Sequence, residues 1–284
     1  MIQVKNLKYQ YPNAESDTLT GINFQIDKGE IFGFLGPSGA GKTTTQKILI
    51  GILKNYGGSV SVMDQEISQV HADYYETIGV SFEFPNLYTK FTALENLNFF
   101  SKLYKGSTEP PMTLLEMVGL KEDANIRVSD YSKGMKMRLN FIRALLNKPE
   151  LIFLDEPTSG LDPVNLKKVK DIILEQKAKG KTVIVTTHDM HVADSICDRV
   201  AFIVAGDIAL IDSPRNLKLQ HGQKKVAVEY HDNGVLQKSV FDLNSLNKNK
   251  DFMALLNNGI IETMHTQEAS LDDIFIKTTG RSLL

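Results

Sequence analysis

The sequence predicts an α/β fold: a parallel sheet with crossover helices, interrupted by a helical insert and followed by a small α+β appendage. Two apolar strands, "LIFL" and "TVIVTT", flank the amphipathic stretch "VNLKKVKDIILEQKAKG", and that order reads as a parallel sheet with right-handed crossovers. Upstream, the apolar strand "IFGFL" runs into a glycine-rich turn and then a helix from Lys42. Between these regions, from Thr92 to Lys148, apolar residues recur at helical spacing.

In chain order, "IQVKNLKYQY" alternates apolar and polar residues as a half-buried strand does. The insert, residues 92–148, opens on "TALENLNFF", with Thr92 and Glu95 spaced as a capping box, and continues through "MTLLEMVGL" and "MRLNFIRALL". After about Leu219 the character changes. "KKVAVEY" and "VLQKSVF" flank the turn residues "HDNG", a hairpin signal, "DFMALLNNG" reads as a helix stopped by Gly259, and "SLDDIFIKTTG" reads as a capped helix ending in glycine. Residues 1–219 are expected to form the main domain and 220–284 the appendage.

The chain has 284 residues, 42% of them hydrophobic, which is ample for a core, and a formal net charge of −2. That near-neutral balance, with no basic block, argues against nucleic acid as the main ligand. The single cysteine, Cys197, excludes an internal disulfide and is expected in the core without a chemical role. The opening "MIQVKNLKYQ" has no apolar signal core, and runs such as "VAFIVA" fall short of the ~20 residues a spanning helix needs. The chain is therefore expected to be soluble and to reach a membrane only through a partner.

"GPSGAGKT" matches the phosphate-loop pattern G-x-x-x-x-G-K-[ST] between a strand and a helix, where the mechanism needs it. Gly36, Pro37, Ser38, Gly39, Ala40 and Gly41 let the backbone wrap around phosphates; Lys42 supplies a cation, Thr43 a hydroxyl for Mg²⁺, and Thr44 continues the cradle. A nucleoside triphosphate is the implied ligand. "LIFLDE" ends a strand on Asp155 and Glu156, at the edge where α/β proteins place ligands; one carboxylate can hold a metal and the next can take a proton from water. His188, at the end of "TVIVTTH", leaves a neighbouring strand in the same direction, so it is expected to face the same crevice and contact the γ-phosphate. "DYSKGMKMRL" places Ser132 and Gly134 at a helix start, a side-chain cap and free N–H groups suited to an anion.

With "GPSGAGKTT", "YSKGMKMR", "LIFLDEPTSGLDP" and "TTH" in that order, the chain resembles the ATP-binding-cassette (ABC) ATPases from about Met1 to Leu219. The resemblance implies ATP and Mg²⁺ as cofactors, with Lys42 and Thr43 on phosphate and metal, Asp155 on the metal, Glu156 as general base and His188 on the γ-phosphate. It also implies that "SGLD", with Asp162, crosses between subunits. Tyr11, just before Pro12, matches the aromatic that stacks on adenine. Tyr9 is the rival, since alternation sends both to the same side of a strand.

Two departures from the family pattern stand out. Its usual Leu-Ser-Gly-Gly-Gln signature is here Tyr131, Ser132, Lys133, Gly134 and Met135, which keeps the two residues an anion needs; by resemblance this segment serves ATP bound in the opposite subunit. Where the family has a glutamine reaching the metal, this chain has Glu83. At ~4 Å from a unit of γ-phosphate charge an ionised Glu83 is repelled by about 4 kcal/mol at an effective dielectric of 20, but a divalent metal at equal distance attracts it more. Activity is expected to survive with altered metal dependence.

The resemblance implies the ATP-hydrolysing subunit of an ABC transporter, an exporter by its tail. It would sit at the cytoplasmic face of the cell membrane, bound to a separate transmembrane permease and driven by ATP-dependent dimerisation with a second cassette, identical or paralogous. A soluble cassette ATPase acting on ribosomes or nucleic acid is the alternative. The charge balance, the single phosphate loop and the lack of a long coiled-coil insert disfavour it.

Overall fold

A computed structural model describes residues 1–222, 224–232, 234–267 and 269–281. They divide into two compact units, Met1–Ser213 and Pro214–Arg281.

The first unit opens on β1 (Ile2–Tyr9) and β2 (Leu19–Ile26), an antiparallel pair with one face buried, as their alternating patterns require. A register shift between Val4 and Leu7, with Asn6 at φ 49°, bends β1. β3 (Ile31–Leu35) is buried at every position and leads through residues 36–41 into α1 (Lys42–Leu49). β4 (Gly57–Val62) and β5 (Gln65–Glu66) complete the four-stranded sheet, in the order β2-β1-β4-β5. α2 (Ala72–Thr77) then feeds β6 (Ile78–Ser81).

The helical region follows: α3 (Ala93–Ser101), α4 (Pro111–Met117) and α5 (Lys133–Arg143). The expected capping box starts α3, with Thr92 and Glu95 each bonding the other's backbone. The chain returns through β7 (Leu151–Asp155), α6 (Pro163–Ala178), β8 (Thr182–Thr187), α7 (Met190–Ile196), β9 (Arg199–Val204) and β10 (Asp207–Asp212). These strands form a sheet in the order β10-β9-β3-β8-β7-β6, parallel from β9 to β6 and antiparallel only at β10. β3, β7 and β8 are buried throughout, as parallel strands covered on both faces must be. Cys197 is buried beside β3, and burial pushes its thiol pKa up, away from reactivity.

The second unit begins at α8 (Pro214–His221), which packs on the final helix, so the division falls at Pro214, ahead of residue 220. β11 (Lys225–Asp232) pairs with β12 (Val235–Asp242) as the expected hairpin; its turn residue Asn233 lies outside the described residues. α9 (Lys250–Asn257) ends before Gly259 at φ 65°, and β13 (Ile261–Gln267) pairs on the far side of β11. Val226, Val228, Phe241 and Phe252 form its small core. α10 (Leu271–Thr279) is capped by Ser270 with Asp273 and ends at Gly280 in the left-handed region, as "SLDDIFIKTTG" suggests.

Candidate active site

The C-terminal ends of β3, β7 and β8 open onto one cavity of about 430 Å³. Tyr11, the loop and helix start from Ser38 to Thr44, Glu83, Asp155, Glu156 and His188 line it.

The loop geometry follows from its glycines. A Cβ on Gly36 would collide with the carbonyl oxygen of Ile203, and Gly41 sits at φ 110°, which L side chains rarely adopt. Gly41 caps α1 without a side chain, so the N–H groups of the first turn are free of side-chain acceptors and available to an anion. The buried Lys42 ammonium donates to Gly36 O at 2.6 Å and Pro37 O at 2.9 Å, holding its charge over the loop. Burial lowers its pKa, and Glu156, Asp155 and Glu83 oppose that shift.

Across the cavity the parallel register places Asp155 beside Thr186. The Thr186 hydroxyl bonds Asp155, and Thr43 Oγ1 lies 3.3 and 3.2 Å from its two carboxyl oxygens. Glu156, buried and in the left-handed region at φ 48°, accepts from Thr187 Oγ1 at 3.2 Å. A buried non-glycine residue held at such an angle marks a place where tertiary structure overrides local preference. His188 Nδ1 lies 2.8 Å from Glu156 Oε1, so the histidine reaches the same cavity through the acid. Thr186 and Thr187 were not anticipated as site residues. Their signal is the threonine pair ending one strand where the neighbouring parallel strand ends in Asp-Glu.

Of the two tyrosines, Tyr9, the last residue of β1, is buried in the core, while Tyr11 packs against the same core, edge-on to Tyr9 at 4.9 Å, and lines the cavity. The Tyr11 hydroxyl is 3.2 Å from Thr44 Oγ1. Ser132, Gly134 and Asp162, expected to face a second chain's nucleotide, do not line this cavity. Ser132 caps α5, accepting from Met135 N at 3.2 Å, and Asp162 caps α6, accepting from Val164 N and Asn165 N. Hydrogen bonds from Asn165 and its own helix start lower the Asp162 pKa.

Fold and site together define a phosphate-loop ATPase. The family profile described as ABC transporter matches residues 19–159, and one described as fluoroquinolone efflux ABC transporter C-terminal domain matches residues 224–268. The fluoroquinolones export ATP-binding protein of Mycobacterium tuberculosis is 54% identical over 284 residues, covering 100% of this chain and 94% of the relative. The linearmycin resistance ATP-binding protein LnrL of Bacillus subtilis is 32% identical over 312 residues, covering 100% and 99%. An ATP-binding cassette solved as a dimer in a post-hydrolysis state with ADP and Pi superposes with a TM-score of 0.69 at 29% identity, over 75% of this chain and 98% of that one. The chain belongs to the ATP-binding subunits of ABC transporters, among the exporters, and is an ATPase.

Proposed function

We propose that the chain works as one of a pair of cassettes, with Glu156 as general base and each ATP held between residues 36–44 of one chain and Ser132 to Gly134 of the other. The observation that carries it is a buried, threonine-held Glu156 on the wall of the cavity that Lys42 and Thr43 line. A carboxylate fixed there can accept a proton from water, while Lys42 and the loop N–H groups take the phosphate charge. In its imidazolium form His188, donating from Nδ1 to Glu156, has Nε2–H left to donate to a γ-phosphate oxygen. Tyr11 offers its ring to adenine. That Ser132, Gly134 and Asp162 line no part of the Lys42 cavity supports their serving a second chain's nucleotide.

Three carboxyl groups, Glu83, Asp155 and Glu156, line a cavity that must accept a polyanion. The Thr43 hydroxyl and the Asp155 carboxylate whose two oxygens it lies between are oxygen donors that fit a small hard cation. Mg²⁺ held by Thr43, Asp155 and Glu83 would neutralise phosphate charge. Glu83→Gln is expected to leave hydrolysis within about tenfold of wild type and to raise the Mg²⁺ requirement, since the amide can still reach the metal's water shell. Titrating ATPase rate against Mg²⁺ checks this; complete loss of activity, or an unmoved midpoint, removes Glu83 from the metal.

No helix among the described residues is long and apolar enough to cross a membrane. A groove of about 530 Å³ beside the helical region, lined by Tyr75, Val80, Phe82, Phe100, Leu103 and Arg143, supports docking of a separate membrane-spanning subunit there, on the cytoplasmic face. The named relative and the C-terminal profile support planar aromatic antibiotics of the fluoroquinolone type as cargo. Detergent extracts of membranes expressing the tagged chain should yield a hydrophobic polypeptide bound to it in stoichiometric amount. Recovery with ribosomes or nucleic acid instead would favour the soluble alternative.

A further inference from the structure

We propose that Asn140 is a positioning residue for hydrolysis, holding the segment that carries Glu83 against the helix that begins at Ser132. Asn140 is fully buried in α5, and its Nδ2 donates to Ser81 Oγ at 3.0 Å and Phe82 O at 2.7 Å. These are the last residue of β6 and the residue before Glu83. One turn further on, Arg143 donates to Asn86 O at 2.7 Å, on the other side of Glu83, with its guanidinium 4.8 Å over the Phe100 ring. Asn147, just past α5, donates to Glu76 O at 2.9 Å and Ile78 O at 2.8 Å. The backbones also meet closely, since a Cβ on Gly79 would collide with Ala144 O. One side of α5 thus holds carbonyls before and after Glu83.

The chemistry of Asn140 argues that these bonds are its purpose. Its neighbours Leu139, Phe141 and Ile142 are buried and apolar, and its own Oδ1 has no partner, so the position retains an amide where an apolar side chain would cost less to bury. Cutting both Nδ2 bonds would loosen the Phe82 side of Glu83 and leave only Arg143 to tie the stretch to a helix whose first turn is the ATP-facing segment of the proposed pair. A shift of α5 on engaging ATP would then reach Glu83 from one side only.

This inference rests on Glu83 facing the metal, and the test separates the two. Mn²⁺ binding would be measured by electron paramagnetic resonance in the presence of a non-hydrolysable ATP analogue, with amide hydrogen exchange over residues 82–86. Asn140→Ala is expected to weaken Mn²⁺ about three- to tenfold, the size of a lost hydrogen-bond contribution, and to speed exchange over residues 82–86. In a Glu83→Ala background it should weaken Mn²⁺ no further. Equal weakening in both backgrounds, or unchanged exchange, overturns the positioning role. Unchanged Mn²⁺ affinity in Glu83→Ala alone removes Glu83 from the metal, a separate failure, and exchange then decides whether Asn140 holds the segment. If Asn140→Ala does not fold, Ser81→Ala, which cuts one bond, must give the same pattern at smaller size; an unaltered Mn²⁺ affinity and exchange rate there overturns the inference.

Discussion

Glu156→Gln is expected to keep ATP binding and to lose roughly a hundred- to ten-thousandfold of turnover, the usual contribution of a general base. The substitution preserves shape at a crowded position. A glutamine carbonyl can still accept from Thr187 Oγ1, and its amide can donate to His188 Nδ1 when the imidazole carries its proton on Nε2, so both native contacts can be kept with the second one reversed in direction. What the amide cannot do is take a proton from water. The phosphate cradle does not involve this side chain: Lys42 remains held over Gly36 O and Pro37 O, and the first turn of α1 is untouched. Binding should therefore persist while the chemical step fails, and the ATP-bound pair should be trapped. Gel filtration should show a dimer with ATP and Mg²⁺ and a monomer without. Turnover near that of wild type, in a preparation free of native enzyme, would remove Glu156 from the role of base.

The second large effect tests the composite site. As homodimers, Lys42→Ala and Ser132→Arg are each expected to lose at least about a hundredfold of activity, because every site in either dimer lacks a group that stabilises phosphate charge. Lys42→Ala removes the only lysine lining the cavity among the described residues. Ser132→Arg removes the cap that accepts from Met135 N and adds bulk at the start of α5; the lost cap alone costs about 1 kcal/mol of stability, too little to unfold the chain. Thermal melting would establish that both proteins are folded. In a mixed dimer the two lesions fall in one composite site, and the other site pairs an intact Lys42 with an intact Ser132. Mixed dimers isolated through two different tags should therefore regain hydrolysis, whereas a chain carrying both lesions, mixed with wild type, should give inactive mixed dimers. If mixed dimers are no more active than either parent, Ser132 does not complete a neighbour's site in a homodimer.

The phosphate loop was legible because its chemistry is local. A strand, glycines that permit close approach, and Lys42 and Thr43 at the next helix start are contiguous, and the bonds from Lys42 back to Gly36 O and Pro37 O stay within the loop. The strands β7 and β8 were legible for a related reason, since burial on both faces forces continuous apolar runs. The capping box of α3 and the capped start and glycine end of α10 were readable for the same local reason. By contrast, β2, β4, β5, β6, β9, β10 and β13 were not anticipated. β2 and β4 carry mixed patterns that become strands only by pairing with β1, and β13 only by pairing with β11.

By itself the sequence determined which groups could do the chemistry: Lys42, Thr43, Asp155, Glu156 and His188 were each identifiable from residue type and position in a strand or loop. Only the tertiary structure decided how they are held. Tyr9, paired with Leu19 at the end of β1, was covered by the core, and Tyr11, past the end of the strand, was left to line the cavity. Thr186 and Thr187 became the partners of Asp155 and Glu156 through parallel register, which links positions 31 residues apart. Asn140 met Ser81 and Phe82 across 59 and 58 residues because α5 packs on β6. A hydrogen bond between distant segments leaves no periodic trace in either one, so its partners are chosen by the packing that brings the segments together.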